Sequence, residues 1–395
     1  MSGNNTIPKD VFEQTILNFF APIRPFLDDP SVSEVMINGP DQIYIERKGK
    51  LTLTGAKFSS RDALTAALRN LAQFVGRHVD EHRPILEARL PDGSRVEAVL
   101  PPAAPDGPHV AIRRFFRETL TVERLVGFGS FTPEAAEFLK AVVTVKENTI
   151  VAGGTGSGKT SLLNALTGFI PNDDRIVVIE DSQEVQPQQP HIVQLEARPP
   201  DARGRGQVSI RDLFKATLRM RPDRIVVGEI RSGEALDLVQ AMTSGHGGCM
   251  ATVHATYPLD TLNRLETMCL MSDIALPLHA LRAQIASGVD IIVQTSRLRD
   301  GSRCVTHISE VQGYDPEKGY DVKDVFVRRY HGDDAQGKVV STFELTGFMP
   351  KCVEHIHGYG LRLPNVMYEM AQRTGGQAAY AGHDGGGHGG GGHGH

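Results

Sequence analysis

The four cysteines, Cys249, Cys269, Cys304 and Cys352, lie far apart and form no C-x-x-C pair. They therefore offer neither a zinc ribbon nor a disulfide framework, and the chain reads as one from a reducing compartment. Long apolar runs are also missing: no stretch of the sequence approaches the roughly 20 residues needed to span a bilayer. The N-terminus has no basic segment followed by an apolar core, so no secretory signal is expected. A soluble, cytoplasmic protein is. Charge of one sign is scarce. A formal net charge of −5 sets up no global field for drawing in nucleic acid, which speaks against a helicase or a DNA-packaging motor. What is present is a chain of 395 residues, 40% hydrophobic, too long for one ordinary core and expected to divide into two domains plus tails.

Residues Val11–Phe20 read as a short amphipathic helix closed by Pro22 and Pro25. Val35–Asn38 and Gln42–Glu46 read as strands joined by a Gly-Pro turn, with Leu51–Leu53 following. Ser59 and Asp62 are expected to cap a helix whose apolar positions Leu64, Leu68, Leu71 and Val75 keep helical spacing. Arg95–Val99 and Val110–Phe115 are further strands, closing a small α+β domain at residues 1–117. A linker, 118–131, leads to Thr132-Pro133-Glu134, a helix start with a capping threonine and proline at its first position. From there strands (148–153, 175–180, 191–195, 224–228, 249–254) alternate with helices after Lys159, Ser209 and Gly233 and over 258–271. Such alternation predicts an α/β domain over 132–373, a mainly parallel sheet with its ligand at the carboxyl ends of the strands. Runs within 288–350 suggest an added peripheral sheet. Residues 374–395 are glycine and histidine, including His383, His388, His393 and His395, and read as a disordered tail.

Gly153-Gly154-Thr155-Gly156-Ser157-Gly158-Lys159-Thr160 is a complete phosphate-binding loop, between the apolar run 149–152 and a helix opening at Ser161. A glycine-rich turn there lets consecutive backbone N–H groups wrap a β-phosphate. Lys159 then reaches the β- and γ-phosphates, and the Thr160 hydroxyl is placed to ligate Mg²⁺. This chain is therefore expected to bind ATP with Mg²⁺. Arg224–Gly228 is an apolar strand, and Glu229 at its end is the candidate to polarise the attacking water. Glycine stands at 228, where most such enzymes place the aspartate on the magnesium side, so Glu180 or Asp181, after the strand 175–180, is a candidate to hold a metal-bound water. A plain polar exit from that strand is the alternative. In Thr243–Ala255 two histidines bracket a strand, both expected at the phosphate end, His254 to sense the γ-phosphate and His246 to relay to a neighbour. Arginines are dense: Arg95, Arg113, Arg114, Arg203, Arg205, Arg211, Arg219, Arg221, Arg224 and Arg231. One supplied by a neighbouring subunit typically adds about 10³–10⁵ in rate, roughly 4–7 kcal/mol of barrier. Arg113, Arg114 and Arg211 are the candidates.

The phosphate loop, the segment IEDSQE, MRPDRIVVGEIRSGEA and SGHGGCMATVHAT, in this order, resemble the secretion ATPases of type II and type IV secretion systems and type IV pili. HVDEHRPILEARLPDGSRVEAVLPP, the run from RLETMCLMSD to CVTHISEV, and GKVVSTFELTGFMP are similar to the CpaF branch, the motor of Tad (Flp) pili. The resemblance covers most of residues 30–365. It implies a RecA-like P-loop ATPase domain behind a PAS-like N-terminal domain that roofs the nucleotide. It makes Gly153–Thr160 the Walker A loop and Glu229 the Walker B glutamate, with Glu180 and Glu184 in the Asp box and His246 and His254 in the His box. It further implies a homohexamer docked on an inner-membrane platform protein. The branch's long N-terminal extension is nearly absent, and the tetracysteine motif of the type II branch is missing. The first reading is a pilus assembly motor. The alternatives are a motor for type II, type IV or conjugative transfer, and a module that holds ATP without turning it over.

Overall fold

The computed structural model describes residues 15–47, 49–114, 120–201, 204–274 and 276–374. Part of the leading helix, Phe115, Arg203 and the histidine-bearing tail therefore lie outside the described residues. In the N-terminal part, a short helix α1 (Arg24–Asp28) precedes β1 (Val32–Asn38), β2 (Gln42–Arg47) and β3 (Lys50–Leu53). Helix α2 (Arg61–Phe74) and strands β4 (Ile85–Arg89), β5 (Arg95–Val99) and β6 (His109–Arg113) complete it. The sheet order is β3-β2-β1-β6-β5-β4, antiparallel at every pairing. The α2 cap falls one residue later than expected: Ser60, not Ser59, accepts the Ala63 N–H at 3.1 Å.

Strand alternation gives this sheet two unlike faces. Val35, Ile37, Ile43, Ile45, Val96 and Ile112 are buried against Leu64, Leu68 and Leu71 of α2. The intervening positions, Glu34, Glu46, Arg89, Arg95 and Arg113, belong to the opposite face. That charged face turns toward the ATPase domain, as its contacts below establish.

Helices α3 (Val122–Gly127) and α4 (Pro133–Thr144) open the second part, and Thr132 caps α4 as its sequence predicts. The chain continues through β7 (Thr149–Gly153), α5 (Lys159–Thr167), β8 (Ile176–Glu180), β9 (Ile192–Glu196), α6 (Ile210–Thr217), β10 (Arg224–Ile230), α7 (Glu234–Thr243) and β11 (Met250–Val253). Next come α8 (Pro258–Leu270), α9 (Leu278–Gly288), β12 (Ile291–Arg297), β13 (Arg303–Asp315), β14 (Gly319–Asp333), β15 (Val339–Leu345), α10 (Cys352–Gly358) and α11 (Asn365–Arg373). All nine strands form one sheet in the order β15-β14-β13-β12-β7-β11-β10-β8-β9. The stretch from β12 to β9 is parallel. The separate peripheral sheet expected from 288–350 is not found: β12 pairs directly with β7 and β13–β15 extend the same sheet. The near-continuous apolar run Val289–Val293 fits this central position, since a strand covered on both faces needs apolar residues at every position.

β7 sits in the middle of the sheet and is buried along its whole length. Val151 points to one core, with Leu162 and Leu163 of α5 and Phe138 of α4. Ile150 and Ala152 point to the other, with Phe214 of α6, Leu236 of α7 and Leu265 of α8. The helix that follows β7 thus covers one face while those after β9, β10 and β11 cover the other. The crevice this opens at the carboxyl ends of the strands is where a parallel sheet of this kind binds its ligand.

Candidate functional site

Gly153–Gly158 links β7 to α5. The backbone adopts φ +68° at Gly156 and +93° at Gly158, a region closed to most side chains. A Cβ on Gly153 would stand 2.3 Å from Thr295 Oγ1 and 2.4 Å from Ser157 Oγ, so only glycine fits where the loop leaves the strand. The Ser157 and Thr295 hydroxyls lie 2.8 Å apart, and Thr295 also donates to the Ala152 carbonyl at 3.1 Å. Lys159 Nζ donates to the Gly154 carbonyl at 3.0 Å, across the mouth of the loop. Burial lowers the pKa of this ammonium, with the charges of Arg113 and Arg231 adding to the effect and Glu229 opposing it.

The loop faces a cavity of about 330 Å³. Thr155, Lys159, Thr160 and Ser161 line one side. Glu180, Asp181, Glu184, Glu229 and His254 come from the ends of β8, β10 and β11, and Arg95 and Arg113 from the N-terminal sheet. Arg95 and Arg113 are direct cross-strand partners in β5 and β6. On its other side Arg113 faces Glu34 of β1, so the two arginines add positive charge at the cavity while keeping acidic neighbours within the sheet.

Glu180 resolves the question posed by Gly228. The Val227 and Ile179 positions are paired across β10 and β8. A Cβ on residue 228 would stand 2.8 Å from Glu180 Cγ and 3.0 Å from its Oε1. The glutamate side chain fills the space an aspartate at 228 would need. Its Oε1 accepts the N–H groups of Glu184 and Val185, both at 3.0 Å. Its Oε2 is buried with no partner. Burial pushes the carboxyl up to about 7 despite those two donors. A buried carboxylate with one oxygen lacking a partner, in a residue that lines the cavity, suits a cation or its water. Asp181 suits it less: its carboxylate reaches Arg231 at 3.4 Å. Among the described residues no cluster of three or more His, Cys, Asp or Glu can cage a metal alone. A magnesium ion here would therefore take most of its octahedral shell from phosphate, Thr160 and water.

Glu229 is held by Arg231, whose Nε and Nη2 lie 2.8 and 2.5 Å from its Oε2. The other sequence candidates separate. Arg113 lines the cavity of its own chain together with Arg95. Arg114, one position on, alternates to the far side and donates to the backbone carbonyls of Asp29 and Val32. Arg211 lies in an adjacent groove of about 740 Å³, paired to Asp237 at 2.9 Å and Asp273 at 3.1 Å. His254 follows β11 and lines the cavity, as expected. His246 does not. It precedes β11, which runs parallel to β7, so it lies at the sheet's amino end, a strand's length of about 10 Å or more away. There its carbonyl accepts from Cys249 Sγ at 3.0 Å.

Sequence reasoning missed the arginine contacts around the cavity. Arg303 Nε donates to the Gly156 carbonyl at 2.9 Å. Arg297 reaches Gly49 and Glu46, and Arg89 reaches Ser182 and Glu196. Period-two alternation in β4–β6, with arginines off the apolar phase, was the available signal for Arg89. Nothing local marked Arg297.

Residues 17–345 match the family model described as type II/IV secretion system protein. A putative conjugal transfer protein of Mycobacterium tuberculosis is 34% identical over 302 residues, covering 75% of this chain and 85% of the relative. The type IV secretion system protein VirB11 of Brucella suis biovar 1 is 36% identical over 324 residues, covering 75% of this chain and 89% of the relative. Among solved structures, the Legionella pneumophila ATPase DotB shares the fold, with a TM-score of 0.52 at 18% identity over 80% of this chain and 84% of that one. With a phosphate loop, an acid-ended strand and a roofing N-terminal sheet in one arrangement, and relatives this similar over most of its length, the chain belongs to the type II/IV secretion system protein family.

Proposed function

We propose that this chain is an ATP hydrolase that powers a type IV secretion or conjugal transfer machine as a homohexameric ring. The observation that carries the reading is the one cavity lined together by the phosphate loop, Glu180, Glu229, Arg95 and Arg113. Gly153–Ser161 hold the phosphates. Arg95 and Arg113 neutralise them from the N-terminal sheet. Glu229, once Arg231 turns to phosphate, orients the attacking water. His254 sits where the γ-phosphate ends. Magnesium, held by Thr160 and through water by Glu180, supplies charge neutralisation when bound. A second cavity of about 320 Å³ shares Gly158 and Ser161 with the first and is walled by Leu120, Leu125 and Phe128, which suits a nucleobase.

In this reading the N-terminal sheet roofs the nucleotide and the part from α3 onward hydrolyses it; the expected linker 118–131 holds α3, whose Val122 and Leu125 pack into the core beside Phe138. The ring works at the cytoplasmic face of the inner membrane, docked on a platform protein of the machine. No helix among the described residues is long and apolar enough to cross a membrane, so attachment would run through that partner. The names of the relatives favour secretion and transfer over the pilus motor that the sequence put first. The Tad pilus reading stands second, on the segments similar to the CpaF branch. Magnesium-dependent ATP turnover by the full chain, with sizing in the presence and absence of a non-hydrolysable ATP analogue, tests the proposal. Turnover and a hexamer are expected; a persistent monomer that hydrolyses at full rate overturns the ring.

A further inference from the structure

The charged face of the N-terminal sheet touches the ATPase domain at both of its edges through arginines. At the β3–β2 edge, Arg297, the last residue of β12, donates through Nη2 to the Gly49 carbonyl at 2.5 Å and lies 3.4 Å from Glu46 Oε1. This contact is built. Gly49 has φ +78°, and a Cβ there would stand 2.8 Å from Arg297 Nη2. Glu46 is mostly buried and also accepts the Ser33 hydroxyl at 2.6 Å. At the other edge, Arg89 of β4 reaches across to Ser182 Oγ at 2.5 Å and Glu196 Oε1 at 2.9 Å. The middle strands between these edges, β6 and β5, carry Arg113 and Arg95 over the phosphate cavity.

Both fastenings end on parts of the nucleotide site. β12 is paired to β7 as far as Thr295 and Gly153, and its Thr295 is bonded to Ser157 of the phosphate loop. Directly opposite Arg297 in the same hairpin, Arg303 holds the Gly156 carbonyl. Ser182 follows Glu180 and Asp181 directly. We propose that Arg297 and Arg89 are positioning residues. They suspend the N-terminal sheet from its two edges, one on the phosphate-loop side and one on the acidic side, and so set the height of Arg113 and Arg95 above the phosphates. Neither needs to touch nucleotide. The idea rests on the hydrolase reading above and deepens it, because a displacement of the loop is transmitted through Arg297 to the roof.

The test is a mutant cycle on the full chain, with steady-state turnover read as kcat and KM separately. A reacting group misplaced by about 1 Å loses up to about 10²-fold, so Arg297→Ala is expected to lower kcat by about 10- to 100-fold while KM stays within about threefold. Arg297→Ala added to a chain carrying both Arg113→Ala and Arg95→Ala should lose no more than about twofold beyond that chain alone, because a residue acting only through others is non-additive with them. Arg297→Lys, which keeps the charge near Glu46 without the fork, should restore part of the loss. Glu46→Gln, near-isosteric and in the opposite domain, should repeat it even if Arg297→Ala folds poorly, and Arg89→Ala should act on the same kcat. Losses that multiply in the combined variant, a KM that rises in step with the fall in kcat, or an unchanged kcat in both Arg297→Ala and Glu46→Gln overturn the proposal. A wild-type chain without turnover would overturn the hydrolase reading itself; the same cycle on affinity for a fluorescent ADP analogue then decides the positioning role, with the same non-additivity expected.

Discussion

At the carboxyl end of the nine-stranded sheet, burial raises Glu180 to about 7, and at the amino end it raises Glu147 and Asp290 to about 7 as well. The two ends nevertheless differ in kind. Glu147 and Asp290 hydrogen-bond each other, the Asn148 N–H donates to Asp290 Oδ2 at 2.7 Å, and His355 Nδ1 lies 2.8 Å from Glu147 Oε1. Neighbouring Glu310 accepts the N–H groups of Lys351 and Cys352, each at 2.8 Å. Acids at this end are satisfied from within the chain. Glu180 keeps one buried oxygen without a partner, and the residue lines a cavity that also takes Arg95 and Arg113 from the N-terminal sheet. A raised carboxyl pKa records burial at both ends. A carboxylate with an unpartnered oxygen, set beside a phosphate-binding loop, is what marks the carboxyl end as a place for a ligand.

The largest separation between the ends should come from Lys159→Ala. It removes the cation that spans the loop mouth and should cut ATP turnover by about 10³-fold or more, since donors aimed at developing charge contribute about 10²–10³ each and this one also binds ground-state phosphate. Glu229→Gln should lower kcat by about 10²–10⁴ while nucleotide stays bound; brisk hydrolysis by this variant would remove Glu229 from its role. Glu180→Gln leaves a side chain of the same size over Gly228 but withdraws the charge. A loss of about 10- to 100-fold that excess Mg²⁺ partly restores is expected, read as a rightward shift in metal dependence. If Asp181→Asn gives the larger metal shift, the two acids exchange roles.

At the amino end the prediction concerns stability, not turnover. Glu147 and Asp290 bind protons more tightly folded than unfolded, where carboxyls titrate near 4. Their stabilising contribution is therefore complete below about pH 4 and is lost as pH rises through about 7. Asp290→Asn keeps an oxygen for the Asn148 N–H and cannot ionise. Its melting temperature should vary less with pH than that of the wild type, which should lose on the order of 2–4 °C per kcal/mol between these limits. ATP turnover of Asp290→Asn should stay within about twofold of wild type; a loss as large as that of Glu180→Gln would make the amino end part of the machinery.

The parallel sheet, the phosphate loop and Glu229 were legible in the sequence because each is local: a strand, a glycine-rich turn and a helix in succession, or an apolar run ending in an acid. The preference for Glu180 over Asp181 proposed above was not. It depends on β8 lying beside β10, which places the Glu180 side chain across Gly228, and sequence spacing carries no strand order. Arg113 and Arg114 could not be told apart until the phase of β6 against its core was fixed; Val110 and Ile112 inward put Arg113 on the cavity side. Gly49 and Arg297 are 248 residues apart in sequence, and only the docking of the two sheets brings them together. The position of β12 was misjudged because a buried central strand and the start of a separate sheet look alike as a short apolar run.

The smallest effects should come from the two histidines, which the sequence treated as a pair and the fold puts at opposite ends of β11. His254 lines the phosphate cavity, open to solvent and without a fixed partner geometry to lose. His254→Ala should lower kcat by about tenfold, less than the 10²–10³ of a preorganised donor, with little change in melting temperature. His246 sits behind the sheet with its Nδ1 buried and lacking a hydrogen-bond partner. Replacing it removes packing but also removes a polar atom whose desolvation nothing offsets, and those two terms, each of about 1–3 kcal/mol, act against each other. His246→Ala should therefore leave both turnover and stability close to wild type, while His246→Phe, which fills the space without the nitrogen, should be the more stable of the two. A turnover defect in His246→Ala equal to that of His254→Ala, with melting unchanged, would mean that the two ends of the strand communicate through the chemistry and not merely through the fold.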